Sequence, residues 1–298
     1  MTFGIGGATN KRGPLPDELR SQIKAQLLEM IDCPDNVILS KSCYEQLTLV
    51  VTIFVKYDFP VAWPQMNLWL IKSMDALHAN MQNLQLEDAP RVQRFLGFYF
   101  EMLKEQRKKQ LNSSKSHFYK VVKDHLKSMV RVWLFFNEQQ SNMIYDAQTE
   151  SLKPLAGNYN ECLFSIAAKL DKCLMFIVGC GFSINNLVAE PESNQFVETV
   201  THLIQKLKLF VTCTELCANS PDSADKEKYR EILVCQVKTF LKNLCSLQSN
   251  EPLLMFNSLD QYLQILARIL HGNQIYPTRV KKLALIATFK VVNVDCFN

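Results

Sequence analysis

Apolar residues recur at helical spacing along nearly the whole chain. Leu15, Leu19, Ile23, Leu27 and Ile31 form an i, i+4 series, which is the period of one helix face. Pro16, Asp17 and Glu18 suit the first turn of that helix. Asp35 or Asn36 is placed to cap a second helix running to about Tyr57. Trp63-Pro64 opens a third, with Leu68, Ile71 and Met74 as its inner stripe, and Pro90 a fourth, carrying Val92, Phe95, Leu96, Tyr99 and Leu103. Asn112-Ser113-Ser114 reads as a cap, after which Phe118, Val122, Leu126, Met129 and Trp133 mark a long helix. Further helices are predicted over 160–178, 192–216, 225–247, 258–270 and 278–292, with Ser193-Asn194 and Ser258 as caps near two of their starts. The pattern predicts about ten helices and no strand.

Two of these stretches, 47–54 and 203–211, are apolar around more than half their circumference, so each is expected to touch neighbours on two sides. The corners between helices are mostly short, which makes consecutive helices antiparallel neighbours, and stacked hairpins of that kind give an all-α α-solenoid of HEAT-like repeats. The paired starts near 36, 90, 158 and 224 are spaced more loosely than a regular HEAT unit. Residues 1–13 read as a flexible leader and 14–298 as one solenoid; a helix close to each end makes a longer array the expectation.

Composition narrows the alternatives. The chain has 298 residues and 9 glycines, and four of those fall in the first 13 positions. Five glycines across the remainder cannot supply the phosphate loops, hairpins and bulges of doubly wound or sandwich folds. Ten cysteines follow a glycine-rich start that lacks an apolar leader segment, so reduced thiols in a soluble intracellular protein are expected. The longest apolar runs are too short to cross a bilayer, and no membrane partner is expected. Net charge is +4, yet residues 104–131 alone carry +7, so the basicity belongs to one segment.

That segment is the main candidate surface. Lys120, Lys123, Lys127 and Arg131 fall on one helix face, opposite Phe118, Val122, Leu126, Met129 and Trp133, and Arg107, Lys108 and Lys109 extend the strip at the preceding corner. A solvated amphipathic face is the bland explanation; a docking strip for an acidic partner is the sharper one, with Lys108, Lys109, Lys123, Lys127 and Arg131 as partner-facing residues. Its aromatics fall on the apolar face, where they pack rather than stack on bases, which argues against nucleic acid. Catalytic and metal signatures are weak. Gly4-Ile5-Gly6-Gly7 has no Gly-Lys-Ser/Thr after it, Cys213 and Cys217 have no further ligands nearby in sequence, and the five histidines are scattered. No enzyme, cofactor or metal is expected.

The most specific string is Asp58-Phe59-Pro60-Val61-Ala62-Trp63-Pro64. Pro60 ends one helix, Pro64 takes the first position of the next, and Trp63 wedges the corner, giving Asp58, Pro60, Trp63 and Pro64 a structural role. The string resembles the Asp-aromatic-Pro-x-x-Trp-Pro corner between the two helices of an early repeat in the karyopherin-β (importin-β) family. Lys108-Lys109-Gln110-Leu111, then six residues, then Phe118-Tyr119, is similar to a pattern of the importin eleven subfamily, with Lys108 and Gln110 standing where that subfamily has serine and arginine.

The resemblance implies a nuclear transport receptor: an α-superhelix, here an amino-terminal-region piece lacking the first repeats. Its implied partners are protein cargo, the GTPase Ran in its GTP form and phenylalanine-glycine nucleoporins. It also implies a monomer shuttling between cytoplasm and nucleus through the nuclear envelope. The rival expectation is a HEAT-repeat scaffold or regulatory subunit without transport activity. An enzyme on a helical core would require His125 or His202 beside a reactive cysteine.

Overall fold

The computed structural model describes residues 15–31, 40–83, 88–108, 112–154, 157–180, 192–220, 226–250, 252–272 and 274–292. Among them the chain forms ten α-helices: α1 (Asp17–Ile31), α2 (Lys41–Asp58), α3 (Pro64–Asn80), α4 (Ala89–Arg107), α5 (Asn112–Ile144), α6 (Gly157–Cys180), α7 (Glu192–Asn219), α8 (Lys226–Asn250), α9 (Leu259–His271) and α10 (Thr278–Val292). The expected leader, 1–13, lies outside the described residues.

Helix packing follows chain order in two rows. The even helices form a front row in which α2 lies on α4, α4 on α6, α6 on α8 and α8 on α10. The odd helices form a back row of α3, α5, α7 and α9, and α5, α7 and α9 pack against α6, α8 and α10 to complete each hairpin. This is the all-α, HEAT-like solenoid. Each hairpin buries its inner faces against its own partner and the next hairpin along, so the apolar core runs continuously between the rows from Leu27 to Val291. The large side chains that fill it include Trp63, Trp133, Tyr99, Tyr262, Phe210 and Phe240.

Several local expectations are corrected. Ser40 caps α2, accepting a hydrogen bond from the Cys43 amide at 3.2 Å; Asp35 and Asn36 fall outside the described residues. Asn112, Ser113 and Ser114 are already inside α5, and Ser193 and Asn194 inside α7. Ser258 does precede α9, but its hydroxyl makes no cap bond and pairs with Thr201 at 2.7 Å instead. A two-residue antiparallel pair, β1 (Tyr145–Asp146) with β2 (Ser151–Leu152), closes the turn after α5, where no strand was expected. Segments so short carry no period for a sequence pattern to reveal.

The apolar stripes are only partly covered. Residues 203–211 behave as expected, with Leu203, Ile204, Leu207, Phe210 and Val211 buried. In 47–54, by contrast, Leu49, Val50 and Ile53 are exposed, as are Leu15 and Leu19 on α1. The inner stripe of α3 is Met66, Leu70 and Met74, and Leu68 points to solvent. The exposed face of α2 arises because α2 ends the described front row: α4 covers one side and α1 another.

Candidate functional site

The corner between α2 and α3 is built around a buried carboxylate. Asp58 ends α2, and Arg20 and Lys24, one turn apart on α1, both reach it. Arg20 Nε donates to Asp58 Oδ2 at 2.8 Å and its Nη2 to Oδ1, while Lys24 Nζ lies 2.7 Å from Oδ2. Lys24 also donates to the Ala62 carbonyl at 2.7 Å, and its ammonium sits 5.9 Å from the centre of the Trp63 ring. Burial alone would push the Asp58 carboxyl up, but Arg20 and Lys24 outweigh it and hold the group below its usual value.

Trp63 is buried edge-on against Phe54, with centroids 6.1 Å apart, and Pro64 opens α3 at a position whose amide needs no helical partner. Pro60 follows a cis peptide bond from Phe59. From the next repeat, Gln106 donates to the Val55 carbonyl at 2.9 Å, tying α4 to the end of α2.

The basic segment divides between the two rows. On α5 the apolar residues Phe118, Val122, Leu126, Met129 and Trp133 are all buried. Lys120, Lys127 and Arg131 lie exposed on the back, while Lys123 is half-buried, its ammonium 5.6 Å from the Tyr119 ring centre. Lys108 ends α4 in the front row and pairs with Glu105, and the Arg107 guanidinium covers the Phe176 ring at 5.1 Å. Lys109 lies outside the described residues. The charges of the corner are thus engaged locally, and Lys127 and Arg131 form no ion pair among the described residues.

The sequence pattern missed two polar nodes in the core. In the first, Lys206 of α7 donates to Asp171 Oδ1 of α6 at 2.8 Å, and Trp133 of α5 donates its indole N–H to the same oxygen at 2.7 Å. Both charged side chains are almost fully buried, at 1% and 2% exposure. The ammonium lies within 5.4 to 5.8 Å of the ring centres of Trp133, Phe210 and Phe240. Burial pushes the Lys206 ammonium down from its usual value and Asp171 opposes that shift. The available signal was one aspartate and one lysine on the inner apolar faces of α6 and α7.

In the second node, His125 bridges α3 and α4. Its Nδ1 is 2.6 Å from the Tyr99 hydroxyl and its Nε2 2.7 Å from Asn67 Oδ1. The amide oxygen only accepts, so Nε2 carries the proton, Nδ1 accepts from Tyr99 and the ring is neutral. Burial lowers its pKa to about 4. Burial penalises the charged ring in the folded chain, whereas the unfolded chain takes up the proton at the ordinary value of 6.5, so stability is complete above that value and is lost as pH falls from there towards about 4. We expect about 3 kcal/mol of stability to disappear across that window, with the loss removed in His125→Gln; urea denaturation of both forms between pH 7 and pH 4 measures it.

Neither node assembles catalytic chemistry. The Cys173 thiol donates to the Leu96 carbonyl at 3.8 Å and is pushed up by burial, so it is held as the thiol rather than the nucleophilic thiolate. Cys217 donates to the Lys226 carbonyl at 3.7 Å, and among the described residues no group of three His, Cys, Asp or Glu side chains could hold a metal ion. None of the described helices is long and apolar enough to cross a membrane. No protein-family model, curated protein or solved structure matches the chain.

Proposed function

We propose that the chain is part of a karyopherin-β-type nuclear transport receptor, most similar to the importin eleven subfamily. It acts by binding: it carries protein cargo through nuclear pores under the control of Ran-GTP and touches phenylalanine-glycine nucleoporins on the way. The observation that carries this reading is the α2–α3 corner. Its Asp-aromatic-Pro-x-x-Trp-Pro residues are the ones that resemble the family, and here Asp58 and Trp63 join three successive helices through Arg20, Lys24 and Ala62. The setting supports it too, because stacked hairpins offer extended surfaces suited to macromolecular partners.

A scaffold of the same architecture would lack nucleotide-sensitive binding. The whole receptor, immobilised, is expected to retain Ran loaded with GTP over Ran loaded with GDP, and to bind phenylalanine-glycine repeats over serine-glycine repeats of the same length. Failure to discriminate in both comparisons would overturn the transport reading and leave the scaffold.

A further inference from the structure

Contacts between the rows fix the relative heights of the front-row helices. Lys206 touches both Asp171 of α6 and Phe240 of α8, so those two residues lie level. The Cys245 thiol reaches the Leu283 carbonyl at 3.8 Å, and Gln248 reaches that of Ala287 at 3.3 Å, which sets α8 against α10. At a rise of about 1.5 Å per residue, Lys169 and Lys172 of α6, Lys238 and Lys242 of α8, and Arg279 and Lys282 of α10 therefore fall within about one helical turn of a common level.

These six cations form a belt across the front row, perpendicular to the helix axes. Lys172, Lys242, Arg279 and Lys282 are exposed and Lys169 and Lys238 half-buried. None of the six forms an ion pair among the described residues. Lys169 lies along α4 at Gly97, where an added Cβ would come within 3.0 Å of its Nζ, so the belt reaches the edge of a fourth helix. Of the carboxylates of the row, Glu101 is occupied by Lys104 and Glu161 by Lys228, while Glu231, two turns along α8 from Lys238, forms no ion pair among the described residues.

We propose that this belt is a docking surface for an extended acidic polypeptide segment lying across α4, α6, α8 and α10. Neighbouring helices pack about 8–10 Å apart, so the belt spans roughly 24–30 Å. An extended chain covers that in about eight residues. A carboxylate at every second or third residue then meets a lysine from successive helices. Two features favour a polypeptide over other polyanions. Among the described residues α4, α6 and α8 expose no large apolar side chain, so across those three helices the belt offers no aromatic platform for bases and no wedge to enter a bilayer; the belt's exposed apolar residues, Leu285, Ile286, Phe289 and Val292, are confined to α10 at the end of the row. Five of the six cations are lysines, flexible point charges rather than the guanidinium forks that grip phosphate through two bonds.

The probe is a fluorescein-labelled peptide of about eight residues alternating Glu and Ser, whose extended length matches the belt. Anisotropy titrations would use the whole chain, with a Gln/Ser peptide, single-stranded and duplex DNA, and phosphatidylserine-containing vesicles as comparators. The Glu/Ser peptide is expected to bind, and Lys172→Glu/Lys242→Glu to weaken it at least about tenfold, because two attractive contacts become repulsive. Lys72→Glu/Lys208→Glu, which reverses the same charge at exposed positions of the back row, is expected to leave affinity within about twofold, and both variants should keep the parent helical signal. Equal losses in the two variants, or no measurable peptide binding, would overturn the belt. Belt-dependent binding of DNA or vesicles tighter than the peptide would overturn the choice of partner.

Discussion

Asp171→Ala is expected to destabilise the chain by about 3–5 kcal/mol, the range for breaking a buried ion pair by deleting one partner. Among the described residues the carboxylate is the one acidic group paired with the Lys206 ammonium, which is otherwise ringed by Trp133, Phe210 and Phe240. Its loss leaves the ammonium and the Trp133 indole N–H without their acceptor. The decisive comparison is with Asp171→Leu/Lys206→Met, which replaces both charges by apolar groups and should be closer to the parent than either single substitution. Urea denaturation followed by far-ultraviolet circular dichroism supplies all four corners of the cycle. Additive losses, or a single-variant loss under about 1 kcal/mol, would show that the node does not act as a unit.

Trp63→Ala is expected to cost about 4 kcal/mol, the middle of the range for removing a large aromatic from a packed site. The indole fills the corner, meets Phe54 at its edge and forms the floor under Lys24. Losing it opens a cavity and removes one of the contacts that hold α1 to the corner, leaving those to the Asp58 carboxylate and the Ala62 carbonyl. Trp63→Phe keeps an aromatic ring there and should recover a substantial part of the loss. Chemical denaturation of the two variants against the parent checks both, and equal stability of alanine and phenylalanine variants would contradict the packing argument.

The helices were legible in the sequence because their apolar faces repeat and because prolines interrupt the chain at corners. Pro64 and Pro90 stand at or beside the first residue of α3 and α4. What a stripe cannot encode is its cover. Leu49 and Leu203 look alike in their local pattern, yet one is 58% exposed and the other buried, because α2 ends the described front row and α7 lies between two neighbours in the back row. The same limit applies to charge. Lys108 and Arg131 read as one strip along the chain, but α4 and α5 belong to different rows, and the chain order conceals that Lys172, Lys242 and Lys282 share one level. Asp171 and Lys206 were missed for a related reason: two inward-facing charges at distant positions gain meaning only once the helices that carry them are stacked.

The row-by-row packing also bears on synthesis. Each helix finds its main partners one or two helices away in the chain, so few contacts require the closure of a long loop. A hairpin leaving the ribosome meets a surface that the preceding hairpin has already completed, and folding can advance vectorially from the amino-terminal side without waiting for the last residue.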